Sequence, residues 1–381
     1  MKGDSWLMCR FGGIGDSVIL TIVAKAILEK CPEDKVDFAV RSKEQVDLFK
    51  NLPIFNKVFE IRRFPHPHFG ANCVKNKDGW ELLDRRKKQY NIVMDYVNSI
   101  ENNSLNHSLV PSYGEWVASQ NSNFVNWIDL SLGWANIDPE KVKDKRPEYK
   151  IEDKEREKAK ELIKGIPRPI FGINLFASSR ARSYFNPDFV IRDILEEFDG
   201  CSILHWDNEK WILHRKGGSK IFLQNNGIRN DIALIKEMDV YVGADSGFSH
   251  LSEAVGTKTV SIYTTVPAWT RCKYYKYTFP IDIQLDCKPC FTLQYQCPIN
   301  RKRAFESLSD RERQILQSSQ TMPLQEASIH FSTTPDKLSQ ELQSINARCD
   351  AIASVIPDCI ASVSSNMIIE KVKEALNTEI N

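Results

Sequence analysis

Short apolar runs alternate with amphipathic stretches along most of the chain. Runs of strand length, such as "SWLMCRF" at 5–11, precede stretches of helix length, such as "SVILTIVAKAILEKC" at 17–31. This alternation predicts βαβ units and a mostly parallel sheet. It continues through "VDFAV", "QVDLFKNL", "KVFEI" and "NIVMDY", and it restarts after residue 169 with "IFGINLF", "CSILHW", "SKIFLQ", "DIALIKEMDVYVGAD" and "TKTVSIYTT".

A highly charged segment separates the two series of apolar runs. It extends from Pro139 to Pro169 and indicates a linker that continues into a solvated helix, with a plain surface helix as the alternative. Two α/β halves joined in this way predict two Rossmann-like domains that face each other across a cleft. Because ligands bind at the carboxyl ends of parallel strands, we expect the site in the loops that follow residues 11, 176 and 245.

The first of these loops lies in "RFGGIGDSVIL" at 10–20 and is rich in glycine. Gly12, Gly13 and Gly15 would let the backbone approach a ligand closely while its N–H groups point outward. The spacing is not that of the dinucleotide-binding fingerprint, and no acid about 20 residues further on completes one. An ordinary strand-to-helix turn, in which Asp16 caps the helix, is the alternative.

The last of these loops lies within "DVYVGADSGFSHLSEAVGTKTVSIY" at 239–263. An apolar strand ends at Ala244, and the next residues lead into a helix whose first turn carries His250. Ser246 and Gly247 at the N-terminus of that helix suit an anionic group such as phosphate. A capped helix with a buried histidine is the alternative interpretation.

Together, "RFGGIGDSVILT" and "DVYVGADSGFSHLSEAVGTKTVSIYTT" resemble glycosyltransferase family 9, the ADP-heptose:lipopolysaccharide heptosyltransferases. That family combines an early R-x-G-x-x-GD loop with a late D-[ST]-G-x-x-H loop. The resemblance spans residues 5–300 and resumes near 355. It implies an α/β protein of the GT-B fold, in which two Rossmann-like domains face each other across a cleft. It also implies an inverting transfer without metal chemistry, with the acid of the early loop, here Asp16, as the general base on the acceptor hydroxyl.

The resemblance also assigns residues to the donor, a nucleotide-diphosphate sugar. In "ASSRARSYFNP", Arg182 best matches the family's phosphate-contacting cation, and Arg180 is the reserve. In "HWDNEK", Glu209 matches the acid that contacts the ribose. The residues of the two glycine-containing loops that match donor-binding positions are Gly13, Gly15, Asp245, Ser246, Gly247 and His250.

An aromatic and basic stretch, "VPAWTRCKYYKYTFP" at 266–280, follows the late loop. Its rings and cations suit a clamp on a nucleotide or an acceptor by stacking and charge. A packed surface loop is an equally good interpretation.

Five of the ten cysteines lie after residue 286, and this clustering indicates a metal site. Cys287, Cys290 and Cys297 form a C-x2-C-x6-C array, whose thiolates suit structural zinc or mononuclear iron. The resemblance favours Cys359 over Cys349 as the fourth ligand, and in a subgroup that glycosylates autotransporter adhesins the cluster holds iron. Reduced, buried cysteines are the alternative. The site would tie the C-terminal tail to the second domain without taking part in the chemistry.

The segment between Cys297 and Cys359 is an insertion relative to the family pattern. Ser309 is the expected N-cap of a first helix, a second follows Pro323, and a third starts at Thr334 and Pro335. The three resemble a helix-turn-helix of the response-regulator type, with the third helix placed for a major groove. A helical insert for protein interaction or oligomerisation is the alternative. A local positive patch that would meet phosphates consists of Arg301, Lys302, Arg303, Arg311 and Arg313.

Composition limits the other classes of function. Lys and Arg total 51 against 50 Asp and Glu, so a net charge of +1 provides no global attraction to nucleic acid or membrane. No apolar run reaches the roughly 18 residues of a membrane span, and the N-terminus lacks a secretory signal pattern. We therefore expect a cytoplasmic protein, or one of the host cytoplasm if the chain is of phage origin.

The sequence as a whole predicts a domain division and a function. The expected units are an acceptor domain at 1–150, a nucleotide-sugar domain at 151–300, a helical insertion at 301–348 and a metal-tied C-terminal helix at 349–381. The predicted activity is transfer of a heptose-like sugar to a hydroxyl of a glycan or protein, by a chain that forms a homo-oligomer. The alternatives are a transferase acting on hydroxymethylated duplex DNA through the insertion, and a non-catalytic nucleotide-binding regulator with a helix-turn-helix.

Overall fold

Two β-sheets flanked by helices, followed by a group of helices, form the part of the chain that the structure describes. The computed structural model describes residues 3–61, 77–96, 126–178, 182–184, 186–207, 210–218, 221–223, 227–285, 288, 298–353 and 358–380.

The first sheet is entirely parallel, with strand order β3-β2-β1-β4. Its strands are β1 (Ser5–Arg10), β2 (Lys35–Val40), β3 (Lys57–Glu60) and β4 (Ile92–Asp95). The chain adds β2 and β3 on one side of β1 and then returns to add β4 on the other side. The topological switch point, where ligands bind in such sheets, therefore lies at the carboxyl end of β1.

Helices accompany the first sheet, and the central one is buried on nearly all sides. They are α1 (Ile14–Lys30), α2 (Lys43–Phe49), α3 (Lys77–Lys87) and α4 (Trp127–Trp134), with a 3-10 turn at Pro139–Lys141. Helix α1 is apolar around most of its circumference, which is the pattern of a helix enclosed by other elements. Its residues from Ser17 to Ala24 are all buried, and they join the main hydrophobic core.

The second sheet has seven strands in the order β11-β10-β9-β5-β6-β7-β8. The strands are β5 (Ile170–Asn174), β6 (Ser202–Asp207), β7 (Lys210–His214), β8 (Ile221–Leu223), β9 (Val240–Ala244), β10 (Thr259–Tyr263) and β11 (Thr278–Asp282). The accompanying helices are α5 (Asp153–Leu162), α6 (Pro187–Glu197), α7 (Ile228–Lys236), α8 (Gly247–Ala254) and α9 (Trp269–Cys272). The switch point of this sheet lies between β5 and β9.

The edge formed by β7 and β8 departs from the predicted parallel pattern. Both strands pair antiparallel, β7 with β6 and β8 with β7. Only two residues separate Asp207 from Lys210, and a connection that short can join antiparallel strands but not parallel ones. The pattern of apolar runs does not separate "KWILH" as a strand, because it follows "CSILHW" so closely.

The insertion folds as a helical unit with its own core. Its helices are α10 (Pro298–Glu306), α11 (Asp310–Thr321), α12 (Leu324–His330) and α13 (Pro335–Ala353). The predicted N-cap is confirmed, since Ser309 and Glu312 form a capping box. The buried side chains at the centre of the unit are Leu308, Ile315, Ala327, Leu338 and Ile345. Helices α10 and α13 span positions 300 and 348, and the domain limits placed there stay predictions.

The insertion leaves and rejoins the second half at one place. Arg303 of α10 donates to Asp358 of the short helix α14 (Asp358–Ala361), with Nη2 and Oδ2 3.0 Å apart. The chain then forms α15 (Ser365–Asn377), whose Ile368 and Val372 are buried against the second sheet. The helical unit is therefore an insertion whose first helix, α10, is paired with α14, where the chain returns to the second half.

A half-buried arginine joins the two halves beside the linker helix. Arg229 of α7 donates to both carboxylate oxygens of Glu155 of α5, at 2.6 and 2.9 Å. It also donates to the main-chain oxygens of Asp47 and Leu48 at the end of α2, each at 3.1 Å. A cation at the C-terminal end of a helix is favourable because the helix dipole is negative there. The charged segment predicted as a linker thus contributes helix α5, and Arg229 binds both this helix and α2 of the first half.

Within the described ranges, no helix has both the length and the apolar character that crossing a bilayer requires.

Replacing Arg229 by Met should destabilise the protein by about 3 kcal/mol, because it leaves the nearly buried Glu155 carboxylate unpaired. The free energy of unfolding from urea titrations measures the effect. Arg192→Met is the matched control, since its ion pair with Asp193 is 56% exposed on the arginine side and such pairs contribute about 0.5 kcal/mol. Equal losses in the two variants would contradict the assignment of Arg229 as the clamp.

Candidate active site

The switch points of the two sheets face each other through the N-termini of two helices. The chain leaves β1 through Gly12 and Gly13 and enters α1 at Ile14, and it leaves β9 through Asp245 and enters α8 at Gly247. Helices α1 and α8 contact each other. The two glycine-containing loops therefore meet in one place.

Glycine makes this contact possible on both sides. A Cβ atom added to Gly15 would lie 2.5 Å from Cδ2 of His250 and 3.5 Å from Cα of Gly247. A Cβ atom added to Gly247 would lie 2.9 Å from Cβ of Ile14. Gly13, in contrast, has room, because its nearest neighbour would be Oδ2 of Asp16 at 3.7 Å. Gly15 and Gly247 are thus the residues on which the close approach depends.

Asp16 lies in the first turn of α1, with one carboxylate oxygen held by a buried arginine. Its Oδ2 accepts a hydrogen bond from Nη2 of Arg10 at 2.6 Å, and its side chain is 22% exposed while that of Arg10 is 1% exposed. Arg10 also donates to the main-chain oxygen of Tyr96 at 2.9 Å. The N-cap of α1 is Gly13, so the alternative in which Asp16 caps the helix is wrong.

The electrostatic surroundings keep Asp16 ionised. Burial raises the pKa of its carboxyl, but the positive charges of Arg10 and Arg271 outweigh burial, and the net shift is downward. His250 contributes in the same direction. The result is a partly exposed carboxylate that can accept a proton at neutral pH.

On the opposite side of the contact, Asp245 organises two basic side chains. Arg182 donates from Nη1 to the main-chain oxygen of Asp245 at 3.1 Å and from Nη2 to Oγ of Ser178 at 2.8 Å. Nε2 of His250 lies 3.7 Å from Oδ1 of Asp245. Burial raises the pKa of Asp245, but His250, Arg182 and Arg271 outweigh it and the pKa is lowered. The loops after β5 and β9 therefore form one cationic group at the switch point.

Two shielded polar atoms at this place suit a ligand. Among the described residues, neither Oγ of Ser246 nor Nε of Arg182 has a hydrogen-bond partner, and both are hidden from solvent. Ser246 is the N-cap residue of α8, but its side chain makes no capping hydrogen bond. Of the alternative interpretation, the buried histidine is therefore confirmed, since His250 is 4% exposed, and the side-chain cap is wrong. Buried polar groups are normally satisfied, and an anion held here would accept from both atoms.

The structure also brings together residues to which the sequence motifs assign no role. Arg271 of α9 is 9% exposed, and its charge lowers the pKa of both Asp16 and Asp245. The hydroxyl of Tyr275 lies 2.7 Å from Nδ1 of His250. Gln45 donates from Nε2 to the main-chain oxygen of Gly12 at 3.2 Å and to Oγ of Ser17 at 3.1 Å, which fixes the early loop. The aromatic and basic stretch at 266–280 was the one signal that pointed to the first two residues.

Several predicted site residues lie outside the described part of the chain. These are Arg180, Glu209, Cys287, Cys290 and Cys297. Cys359 is described and lies half-buried on α14. Among the described residues, no group of three or more His, Cys, Asp or Glu side chains is placed to hold a metal ion. The four-cysteine site therefore stays a prediction.

Comparison with known proteins supports the fold and the class. Residues 135–301 match the family model of glycosyltransferase family 9 (heptosyltransferase). A glycosyl transferase family 9 structure from Veillonella parvula is 9% identical, with a TM-score of 0.53 over 99% of this chain and 98% of that chain. No curated protein matches the chain.

Two further structures are similar at lower TM-scores. E. coli ADP-heptose lps heptosyltransferase II is 12% identical, with a TM-score of 0.48 over 90% of this chain and 99% of that one. The iron-containing dodecameric glycosyltransferase TibC from enterotoxigenic E. coli is also 12% identical, with a TM-score of 0.48 over 91% of this chain and 80% of that one.

The two facing sheets, with their loops meeting at the switch points, form an α/β protein of the GT-B fold. The family match over residues 135–301 gives the class as glycosyltransferase. The predicted fold is confirmed. The predicted resemblance to glycosyltransferase family 9 is confirmed over residues 135–301. The matched segment contains the late loop but not Asp16, so the roles of individual residues stay predictions.

Substitution of Gly15 by Ala should reduce sugar transfer about 10²-fold, because the added Cβ atom would push His250 away and displace the loops by about 1 Å. Steady-state kinetics with the donor would measure the loss. Gly133→Ala is the control, since a Cβ atom there meets nothing within 4 Å. Full activity of Gly15→Ala would show that the contact of the two loops is not needed for transfer.

Proposed function

We propose that the chain is an inverting transferase that moves a heptose-like sugar from a nucleotide-diphosphate donor to a hydroxyl of a glycan or protein. The observation that carries the proposal is the contact between Gly15 and His250, which sets the Asp16 carboxylate against the cationic group around Asp245. A single displacement needs a base for the acceptor hydroxyl and a site that holds the leaving diphosphate. In this proposal the two lie on opposite sides of one contact.

Asp16 is the general base in this proposal. Arg10 holds Oδ2, and the carboxylate is ionised and 22% exposed, so it can take the proton of an acceptor hydroxyl. As the acceptor oxygen attacks the anomeric carbon, the bond from that carbon to the diphosphate oxygen breaks and its electron pair goes to the leaving group. Attack from the face opposite the leaving group inverts the anomeric centre.

The leaving diphosphate is stabilised by the residues around Asp245. Arg182 presents a guanidinium of which Nε has no partner among the described residues, and Ser246 presents its hydroxyl at the N-terminus of α8. Gly247 is the first residue of α8, and the main-chain N–H groups at the N-terminus of a helix suit phosphate oxygens. His250 and Arg271 add positive or donor groups on the same side. The negative charge that develops in the transition state is thus met by preorganised donors.

The contacts of the insertion favour a glycan or protein acceptor over DNA. Four of the five residues predicted as a phosphate-binding patch are engaged with acids: Lys302 with Glu306, Arg303 with Asp358, Arg311 with Glu341 and Arg313 with Asp310. Such pairing reduces the positive field that duplex DNA requires. Transfer to hydroxymethylated DNA remains the alternative activity, and a homo-oligomer in the cytoplasm remains part of the proposal.

Asp16→Asn should lower kcat by about 10²-fold to 10⁴-fold, because the amide keeps the shape of the carboxylate but cannot accept the proton. Nucleoside diphosphate binding, measured by isothermal titration calorimetry, should stay within about twofold of wild type, since the donor groups lie across the contact. Transfer would be followed by mass spectrometry with a panel of nucleotide sugars and with glycan, protein and hydroxymethylated DNA acceptors.

The pH profile provides a second readout for Asp16. Its pKa is lowered, so kcat/KM should not fall through protonation of this group between about pH 8 and about pH 5, and the loss should come below its ordinary value of about 3.9. Asp144→Asn, at a carboxylate paired with Arg146, is the matched control and should transfer normally. Full transfer by Asp16→Asn would refute the base assignment, and no turnover of any donor by wild type would favour the non-catalytic regulator.

We also propose a structural zinc or iron ion bound by Cys287, Cys290, Cys297 and Cys359. The support is local: α10 starts directly after Cys297, and its Arg303 pairs with Asp358, the neighbour of Cys359. The start of α10, which follows Cys297 in the sequence, and the segment of Cys359 are therefore joined by an ion pair. The ion would fasten the tail and would not take part in the transfer.

Elemental analysis of the purified protein should find about one zinc or iron per chain, as a closed four-ligand site requires. Cys359→Ser should lower the metal content and the melting temperature together, because it removes one thiolate. Cys31→Ser, at a half-buried cysteine next to α1, is the control and should keep the metal. Purified wild-type protein without either element would contradict the proposal.

A further inference from the structure

The segment from Trp269 to Thr278, here called the strap, connects the donor loop to the first half of the protein. It runs from α9 to the start of β11, along the side of α8. Two consecutive tyrosines in the strap, Tyr274 and Tyr275, make contacts in opposite directions. Neither residue has a part in the proposed transfer as described above.

The strap is fixed to α8 by a buried carboxylate. Glu253 of α8 is 2% exposed and accepts hydrogen bonds from the main-chain nitrogens of Lys276 and Tyr277, at 2.7 and 2.9 Å. It also accepts from Oγ1 of Thr278 at 2.9 Å. Glu253 and His250 lie on the same short helix, so the strap and the histidine form one rigid group.

Tyr275 contacts His250 directly. Its hydroxyl lies 2.7 Å from Nδ1, and the two rings meet edge to face at 87° with their centroids 5.7 Å apart. Burial raises the pKa of Tyr275 well above 10, so the hydroxyl stays protonated. On the other side of the ring, Nε2 faces the carboxylate of Asp245, which can only accept. At 3.7 Å that contact is longer than a hydrogen bond, so in the tautomer in which Tyr275 donates to Nδ1, Nε2 carries the hydrogen and can donate it to a ligand.

Tyr274 contacts the first half. Its hydroxyl donates to Asp129 of α4, 2.8 Å from each carboxylate oxygen. Lys145, 8% exposed, lies 3.4 Å from Oδ1 of Asp129 and 4.0 Å from the centre of the Tyr274 ring. Asn126, the N-cap of α4, donates to the main-chain oxygen of Trp269 at 2.6 Å. The start and the middle of the strap are therefore both bound to α4.

We propose that Tyr275 is a positioning residue that holds the Nε2–H group of His250 toward the donor diphosphate, and that the strap couples this orientation to α4 through Tyr274 and Asp129. The inference rests on the proposed function, because it takes a nucleoside diphosphate as the ligand of His250. Its consequence is that the two halves must be docked at α4 for the donor loop to be in its binding arrangement.

The test compares Tyr275→Phe, Tyr274→Phe and the double variant with the wild-type chain. Tyr277→Phe is the matched control, because it removes a hydroxyl from the same strap. Affinity for ADP, GDP, UDP and CDP is measured by isothermal titration calorimetry, and the tightest of the four is then used throughout. Circular dichroism of each variant checks that it is folded.

Tyr275→Phe should weaken nucleoside diphosphate binding about tenfold, in the range expected for loss of one hydrogen bond to a polar or charged group. Tyr274→Phe should weaken it about threefold, and the double variant should lose little more than Tyr275→Phe alone, because both changes act through one path. Wild-type affinity in Tyr275→Phe, or fold-losses that simply multiply in the double variant, would overturn the inference.

Nitrogen NMR of labelled histidine separates failure of the inference from failure of the proposed function. The chain has seven histidines, and His250→Gln assigns the signal of interest. In ligand-free protein, Tyr275→Phe should shift the Nδ1 resonance of His250, while Tyr277→Phe should not. An unchanged resonance refutes the positioning role. A shifted resonance in a chain whose wild type binds none of the four diphosphates refutes the proposed function and keeps the contact.

Discussion

The architecture depends on the contact between two helix N-termini, one from each sheet. Gly15 and Gly247 have no side chain, so α1 and α8 can approach closely. Gly15 of α1 then lies against His250 of α8, and Gly247 of α8 lies against Ile14 of α1. The influence of His250 and Arg271 on the pKa of Asp16 follows from this approach. The approach also places the two topological switch points next to each other. Charged side chains from two different parts of the chain therefore meet in one site.

Those charges are balanced within a small volume. Asp16 and Asp245 are both surrounded by arginines, and both pKa values are lowered although burial acts in the opposite direction. The helix N-termini beside them favour negative charge as well. A site built in this way holds two carboxylates ionised without pairing them with each other. One of them, Asp245, is almost enclosed, whereas Asp16 keeps an open side, and this difference separates an organising carboxylate from a reactive one.

The sequence was most informative where local pattern alone determines structure. The βαβ alternation, the Ser309 cap and the two glycine-containing loops were all predictable, because each depends on neighbours within a few residues. The antiparallel β7 was missed since it follows β6 after two residues, and Arg271 and Tyr275 were missed because their partners lie far along the chain. The buried Arg10 was visible only as part of a motif, and no spacing rule gives its bond to Asp16.

The helical insertion has a consequence for how such an enzyme can diversify. It has a core of its own, and the Arg303–Asp358 pair brings its entry and exit together. The entropic cost of closing a loop grows only with the logarithm of its length. An insertion of this kind can therefore be lengthened, exchanged or lost with little effect on the stability of the sheets. New acceptor preferences or assembly contacts can thus arise in this unit while the charges at the switch points stay as they are.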